Sequence, residues 1–168
     1  MRLWHINLIP YLPKSQLLAQ WRELNSIFKK QDKHILIKYV YTYPKQDLFI
    51  YANAVLNEFV KRHYVVRDFT NFNNYFGEYL QSEQRQRLND ELLRKGFDGV
   101  VKDHQFDEHN NEYLTICYWN LREKYLRGQK DFTNEIWHKL DDFYKGEMKN
   151  GLQIWYLRKT NKHKKRTI

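Results

Sequence analysis

Cysteine is almost absent from this chain: of 168 residues only Cys117 is one. A lone cysteine excludes an intramolecular disulfide and leaves no thiolate pair for a zinc site. Flanked by Ile116 and Tyr118, it reads as a small buried hydrophobe. No apolar run approaches the roughly 20 residues that cross a bilayer. Met1-Arg2-Leu3-Trp4-His5 lacks the apolar stretch and small-residue cleavage site of a secretory signal. These absences point to a reducing, cytoplasmic setting away from the membrane. Glycine is sparse, at six residues, and forms no phosphate-cradling loop. There is no internal repeat. Acidic residues are the scarcer charge, 20 Asp and Glu against 29 Lys and Arg, which leaves +9. That excess favours a polyanionic partner, with nucleic acid first and an anionic membrane surface second, although it also serves solubility alone.

What the chain has in quantity is aromatic side chains: 13 Tyr, 10 Phe and 5 Trp. Tyr and Trp carry polar edges, so a core built on them needs hydrogen-bond partners, and some rings are expected to line a surface or groove. The length is that of one domain. Leu17, Trp21, Leu24 and Phe28 recur at helical spacing after Pro10 and Pro13, predicting an amphipathic helix over Lys14 to Lys30. Gln16, Gln20 and Glu23 fall on another of its faces, with Arg22 beside them.

The run His34 to Tyr43 has the β-branched and aromatic content of a strand, and its type stays open. Pro44 opens a second helix carrying Leu48, Ala52, Val55, Leu56, Phe59 and Val60 and ending near His63. Val65 to Gly77, rich in Asn, reads as an irregular loop. Ser82 caps a third helix bearing Leu88, Leu92 and Leu93 that stops at Gly96. A fourth is expected from Asp107 to Leu126 and a fifth from Thr133 to Tyr144. The whole reads as a mainly α, compact multi-helix single domain over residues 1–157, with long loops and few or no strands. Residues 158–168, with six Lys and Arg between Arg158 and Arg166, form a basic tail expected to be flexible.

Two clusters bear on chemistry. His104 and His109, with Asp103, Asp107 and Glu108, are types that ligate divalent metals, but Asp and Glu are also favoured at a helix start, and no metal is assigned. Glu23 beside Arg22 is a carboxylate whose ionised form neighbouring cations would favour, fit for a general base or for stabilising developing positive charge. Taken alone it fits a solvated surface Glu equally well.

The segment Leu17-Leu18-Ala19-Gln20-Trp21-Arg22-Glu23-Leu24 resembles, without a gap, the first helix of the pyrimidine-dimer DNA glycosylase family of the endonuclease V type. A second stretch, Tyr41 to Asp68, resembles that family's second helix, with Lys61-Arg62-His63-Tyr64-Val65-Val66-Arg67-Asp68 like the turn that follows. The opening Met1 to His5 and the stretch Leu8 to Pro13 look most like a bacterial branch of it. The resemblance covers roughly a third of the chain. It implies a DNA glycosylase and abasic-site lyase acting on damaged double-stranded DNA with no cofactor. In the family the amino-terminal amine attacks a deoxyribose anomeric carbon and forms an imine, and strand cleavage follows by β-elimination.

By that resemblance the catalytic pair is Met1 and Glu23. Arg22 binds backbone phosphate, for which its planar fork of donors is suited. Arg2, His5, His34, Lys29 and Lys30 are further candidates for contact with DNA. Phage members expose a small second residue once the initiator is removed, whereas the bulky Arg2 here retains Met1 and places the amine one residue farther out. They also carry a His and a second Arg where this chain has Gln16 and Ser26. The competing reading is a non-catalytic, basic helical nucleic-acid-binding protein on the same scaffold. Neither the lesion recognised nor the oligomeric state is legible.

Overall fold

The computed structural model describes residues 2–31 and 34–164, with side chains described through Gly151. Helices α1 (Lys14–Lys29), α2 (Lys45–Lys61), α3 (Thr70–Leu80), α4 (Glu83–Asp103), α5 (Asn111–Leu126) and α6 (Asn134–Lys164) are joined by turns. Two 3-10 segments, Ile6–Tyr11 and Lys38–Tyr41, complete the described elements, and no strand occurs among the described residues. The mainly α expectation holds. Helix α1 packs on α2 and α3, α2 on α3, α4 and the first 3-10 segment, and α6 on α5 and that same segment.

The stripe foreseen on α1 is buried at Leu17, Trp21, Leu24 and Phe28. Trp21 and Phe28 meet Phe59, Phe69, Phe72 and Phe76 in edge-on and tilted ring pairs at 5.3–6.3 Å. Phe49 and Tyr79 extend the cluster. Pairs of this kind add roughly 0.5–1.5 kcal/mol each beyond area burial.

Several expectations are corrected. Val65 to Gly77 is not a loop throughout, because α3 begins at Thr70. The Asp68 carboxylate accepts from the Thr70 amide at 2.8 Å, and Phe72, Phe76 and Tyr79, spaced four and three residues apart, turn one face into the core. The asparagines occupy the opposite side. The stretch His34 to Tyr43 forms turns and a 3-10 segment rather than a strand, with only Ile37 and Val40 buried. Leu93 and Val60 lie on exposed faces, 87% and 72% accessible, so the apolar stripes of their helices are narrower than read. At Gly96 the backbone departs from helical geometry as foreseen (φ 71°, ψ 171°), but the helix resumes and reaches Asp103.

Helix α5 starts later than expected, at Asn111, capped by the Asn110 carboxamide, which accepts from the amides of Glu112 and Tyr113 at 3.0 Å. Helix α6 runs past Tyr144 to Lys164. Residues 165–168 of the expected tail, and the side chains of the whole tail, lie outside the description.

Two tertiary contacts hold the ends of the first two helices. Pro13, the residue preceding α1, offers no side-chain cap. Asp131, from the turn before α6, supplies one by accepting from the Ser15 amide and, at 3.0 Å, from its hydroxyl. Helix α2 ends with His63 in left-handed geometry (φ 57°), where the Tyr64 amide reaches back to the Phe59 carbonyl at 2.8 Å. There Arg62 grips the Leu12 and Pro10 carbonyls at 2.7 and 2.8 Å.

Candidate active site

Residues Arg2 to His5 form a non-helical strap laid between α1, α2 and α5, and side chains from all three helices engage its backbone. The Arg2 amide donates to Glu23 Oε2 on α1 at 2.9 Å. The Trp4 amide donates to Gln20 Oε1, one turn back on the same helix, at 2.8 Å. From α2 the Tyr51 hydroxyl donates to the Trp4 carbonyl at 2.7 Å, and from α5 the Tyr113 hydroxyl donates to the Leu3 carbonyl at 2.6 Å. His5 Nε2 donates to the His109 carbonyl at 2.7 Å, and its Nδ1 accepts from the Asn7 amide at 3.3 Å. The strap is therefore fixed by side chains from three helices and by the turn preceding α5.

Glu23 is half-buried, and burial raises its carboxyl above the usual carboxylate range. The hydrogen bond from the Arg2 amide opposes that shift, as do the positive charges of the amino terminus, Arg2 and Arg22. Such a carboxyl exchanges a proton nearer neutrality than a solvated Glu, which suits it to acid–base work.

Arg22 is exposed next to it, Ser26 and Lys29, at four and seven residues on, share its side of α1 and are exposed too, and the exposed Lys30 follows the helix end in extended geometry. This forms a cationic stripe bordering the carboxyl. Arg2 differs. Its guanidinium lies 5.8 Å from the Trp4 ring and its Nη1 is buried without a hydrogen-bond partner. The side chain points inward rather than along the stripe.

His5 is 2% exposed, with both ring nitrogens engaged inside the protein, so it serves the strap rather than the surface. Burial lowers its pKa to about 4, partly offset by its bond to the His109 carbonyl. His34 is exposed, its Nδ1 accepting from the Leu36 amide at 3.2 Å. Met1 lies outside the described residues. Gln20, which sequence periodicity places away from the apolar stripe, is 1% exposed. Gln20, Tyr51, Tyr113 and His109 are the site residues that sequence reasoning missed; Tyr113 and His109 are separated from their strap partners by more than a hundred positions.

The candidate metal cluster does not assemble. His104 pairs with Asp47 at 3.0 Å and Glu91 at 3.3 Å, while His109 sits in the core, its Nε2 2.8 Å from the Tyr39 hydroxyl. Among the described residues no three His, Cys, Asp or Glu side chains converge as a metal site. A cleft of 640 Å³ lies between the first 3-10 segment, α2, α4 and α6, and neither Glu23 nor Arg22 lines it.

The strap ending on Glu23, followed by α1 and α2, is the part of the chain that a known family describes. Residues 1–71 match the family model of pyrimidine dimer DNA glycosylase. The match spans the strap, α1 and α2 and ends as α3 begins. No curated protein and no solved structure gives a significant match to the chain. Glu23, Arg22, Gln20 and Tyr51 lie within the matched residues, whereas Tyr113 and His109 lie beyond them.

Proposed function

We propose that this protein is a DNA glycosylase with abasic-site lyase activity, using an amino-terminal amine and Glu23 on damaged duplex DNA. The single observation that carries the reading is the hydrogen bond from the Arg2 amide to Glu23, at 2.9 Å. One residue spans at most about 3.6 Å, so an amine one residue ahead of that amide lies within about 6.5 Å of the carboxylate oxygen. That bound supports the reading, because a retained initiator adds one residue and no separation that would keep an amine from acting together with Glu23.

In the reaction, the neutral amine attacks the anomeric carbon of the extruded nucleotide, and the bond from that carbon to the base breaks. The base leaves with a proton, the sugar ring opens as its oxygen is protonated, and an iminium remains. In this reading Glu23 delivers the proton to the ring oxygen. Removal of a 2′ proton from the iminium then expels the 3′ phosphate and cuts the strand. Arg22, with Lys29 on the same side of α1 and Lys30 just past its end, meets the backbone phosphates that hold the bent duplex, offsetting an extrusion cost of a few kcal/mol.

The test is borohydride reduction of the protein mixed with abasic or dimer-containing duplex. A covalent adduct is expected in the wild type and not in Glu23→Gln, which keeps its affinity for DNA. The adduct also requires an unblocked α-amine, which intact-mass analysis reads directly. Salt-dependent binding to DNA with no adduct on either substrate would replace this reading by the non-catalytic one.

A further inference from the structure

Glu23 and Gln20 of α1 hold the strap from one side, but its direction is set by a residue far outside the matched segment. The Leu3 carbonyl and the Trp4 amide belong to a single planar peptide unit, and in the trans form they point in opposite directions. The Tyr113 hydroxyl of α5 donates to the carbonyl at 2.6 Å, and Gln20 of α1 accepts from the amide at 2.8 Å. Two helices thus grip the two sides of one peptide plane. A plane held at both edges resists rotation about the chain axis, and with the Arg2 amide bonded to Glu23 it restricts the course of the backbone from Trp4 back to Arg2. Both grips are buried or partly buried, where water is a poor substitute.

We propose that Tyr113 is a positioning residue for the amine: with Gln20 it clamps the Leu3–Trp4 peptide and thereby keeps the amino terminus on Glu23. This rests on the glycosylase and lyase reading above. The carboxy-terminal half of the chain, outside the family pattern, then has a defined part in the chemistry without touching the substrate.

The deciding variant is Tyr113→Phe, which removes one oxygen and keeps the ring. Borohydride trapping on an abasic duplex is expected to slow about 10- to 100-fold, while the dissociation constant for the same duplex stays within about twofold. Tyr79→Phe removes another buried hydroxyl, one with no hydrogen-bond partner and no contact with the strap, and is expected to trap at the wild-type rate. If Tyr113→Phe does not fold, Gln20→Met frees the other edge of the same plane and takes its place. Trapping at the wild-type rate by a folded clamp variant overturns the proposal.

Should the wild type form no adduct, the functional reading fails, and the clamp is judged by carbon-13 NMR titration of the Glu23 carboxyl. Loosening the strap weakens the Arg2 amide bond that lowers this group, so its midpoint is expected to move upward in Tyr113→Phe. An unmoved midpoint overturns the clamp.

Discussion

Removing the imidazole of His109 should change how the protein responds to acid. His109 is 1% exposed and burial, aided by the nearby charge of His5, holds its pKa down to about 3. In the unfolded chain the same group titrates near about 6.5. As pH falls the unfolded state takes up the proton first, so stability is present above about 6.5 and is lost progressively toward about 3. At pH 4.5 the two-unit interval below the unfolded value corresponds to about 3 kcal/mol.

Other groups titrate in the same window, His5 among them with its pKa of about 4, so the wild-type curve alone does not isolate the effect. The difference between wild type and His109→Gln does. Urea unfolding at several pH values should show the wild type losing about 3 kcal/mol more than the variant between pH 7 and pH 4.5. Parallel curves would refute the neutral, buried assignment, since they would mean that folding does not resist protonation of this ring. A side effect is expected at the strap, because the His109 backbone carbonyl accepts from His5 and acid unfolding of this turn releases that tether.

Two further outcomes follow from local geometry and charge. Gly96→Ala meets no atom within 4 Å, yet its backbone (φ 71°, ψ 171°) belongs to glycine alone, so a loss of about 1–3 kcal/mol is expected in thermal unfolding. Gly77→Ala, inside α3 with equally open surroundings, should instead stabilise by about 0.5–1 kcal/mol; equal effects at the two sites would contradict the backbone argument. Arg22→Ala should reduce the slope of log affinity for duplex DNA against log salt by about 0.9, and an unchanged slope would remove Arg22 from the phosphate contacts.

Much of the scaffold was legible because two of its helices carry clean periodicity. The spacing of Leu17, Trp21, Leu24 and Phe28 marked α1 to within a residue at its end, and Pro44 marked the start of α2. Helix α3 was hidden because its asparagines are turn formers in isolation, and the Phe72, Phe76 and Tyr79 face outweighs that local preference only once α1 and α2 are there to receive it. Glu23 and Arg22 were legible through family likeness, not through any property of the residues themselves.

Their supports were not. A Tyr that donates to a carbonyl 110 positions away has no local signature, and a Gln in a polar-looking row gives no sign that the strap will cover it. His5 was read as a surface candidate because an imidazole near a basic terminus suits phosphate; burial against the turn before α5 decides otherwise.

The Asp131 carboxylate that closes the open end of α1 lies 116 positions beyond Ser15. On the ribosome, at about 5–20 residues per second, that interval lasts roughly 6–23 s. During that time α1, which begins at Lys14, has already been made, and the Ser15 amide waits for its side-chain acceptor. The helix bearing Glu23 thus gains its final cap only when the turn before α6 emerges, so a truncated product released early carries Glu23 on an unfinished helix.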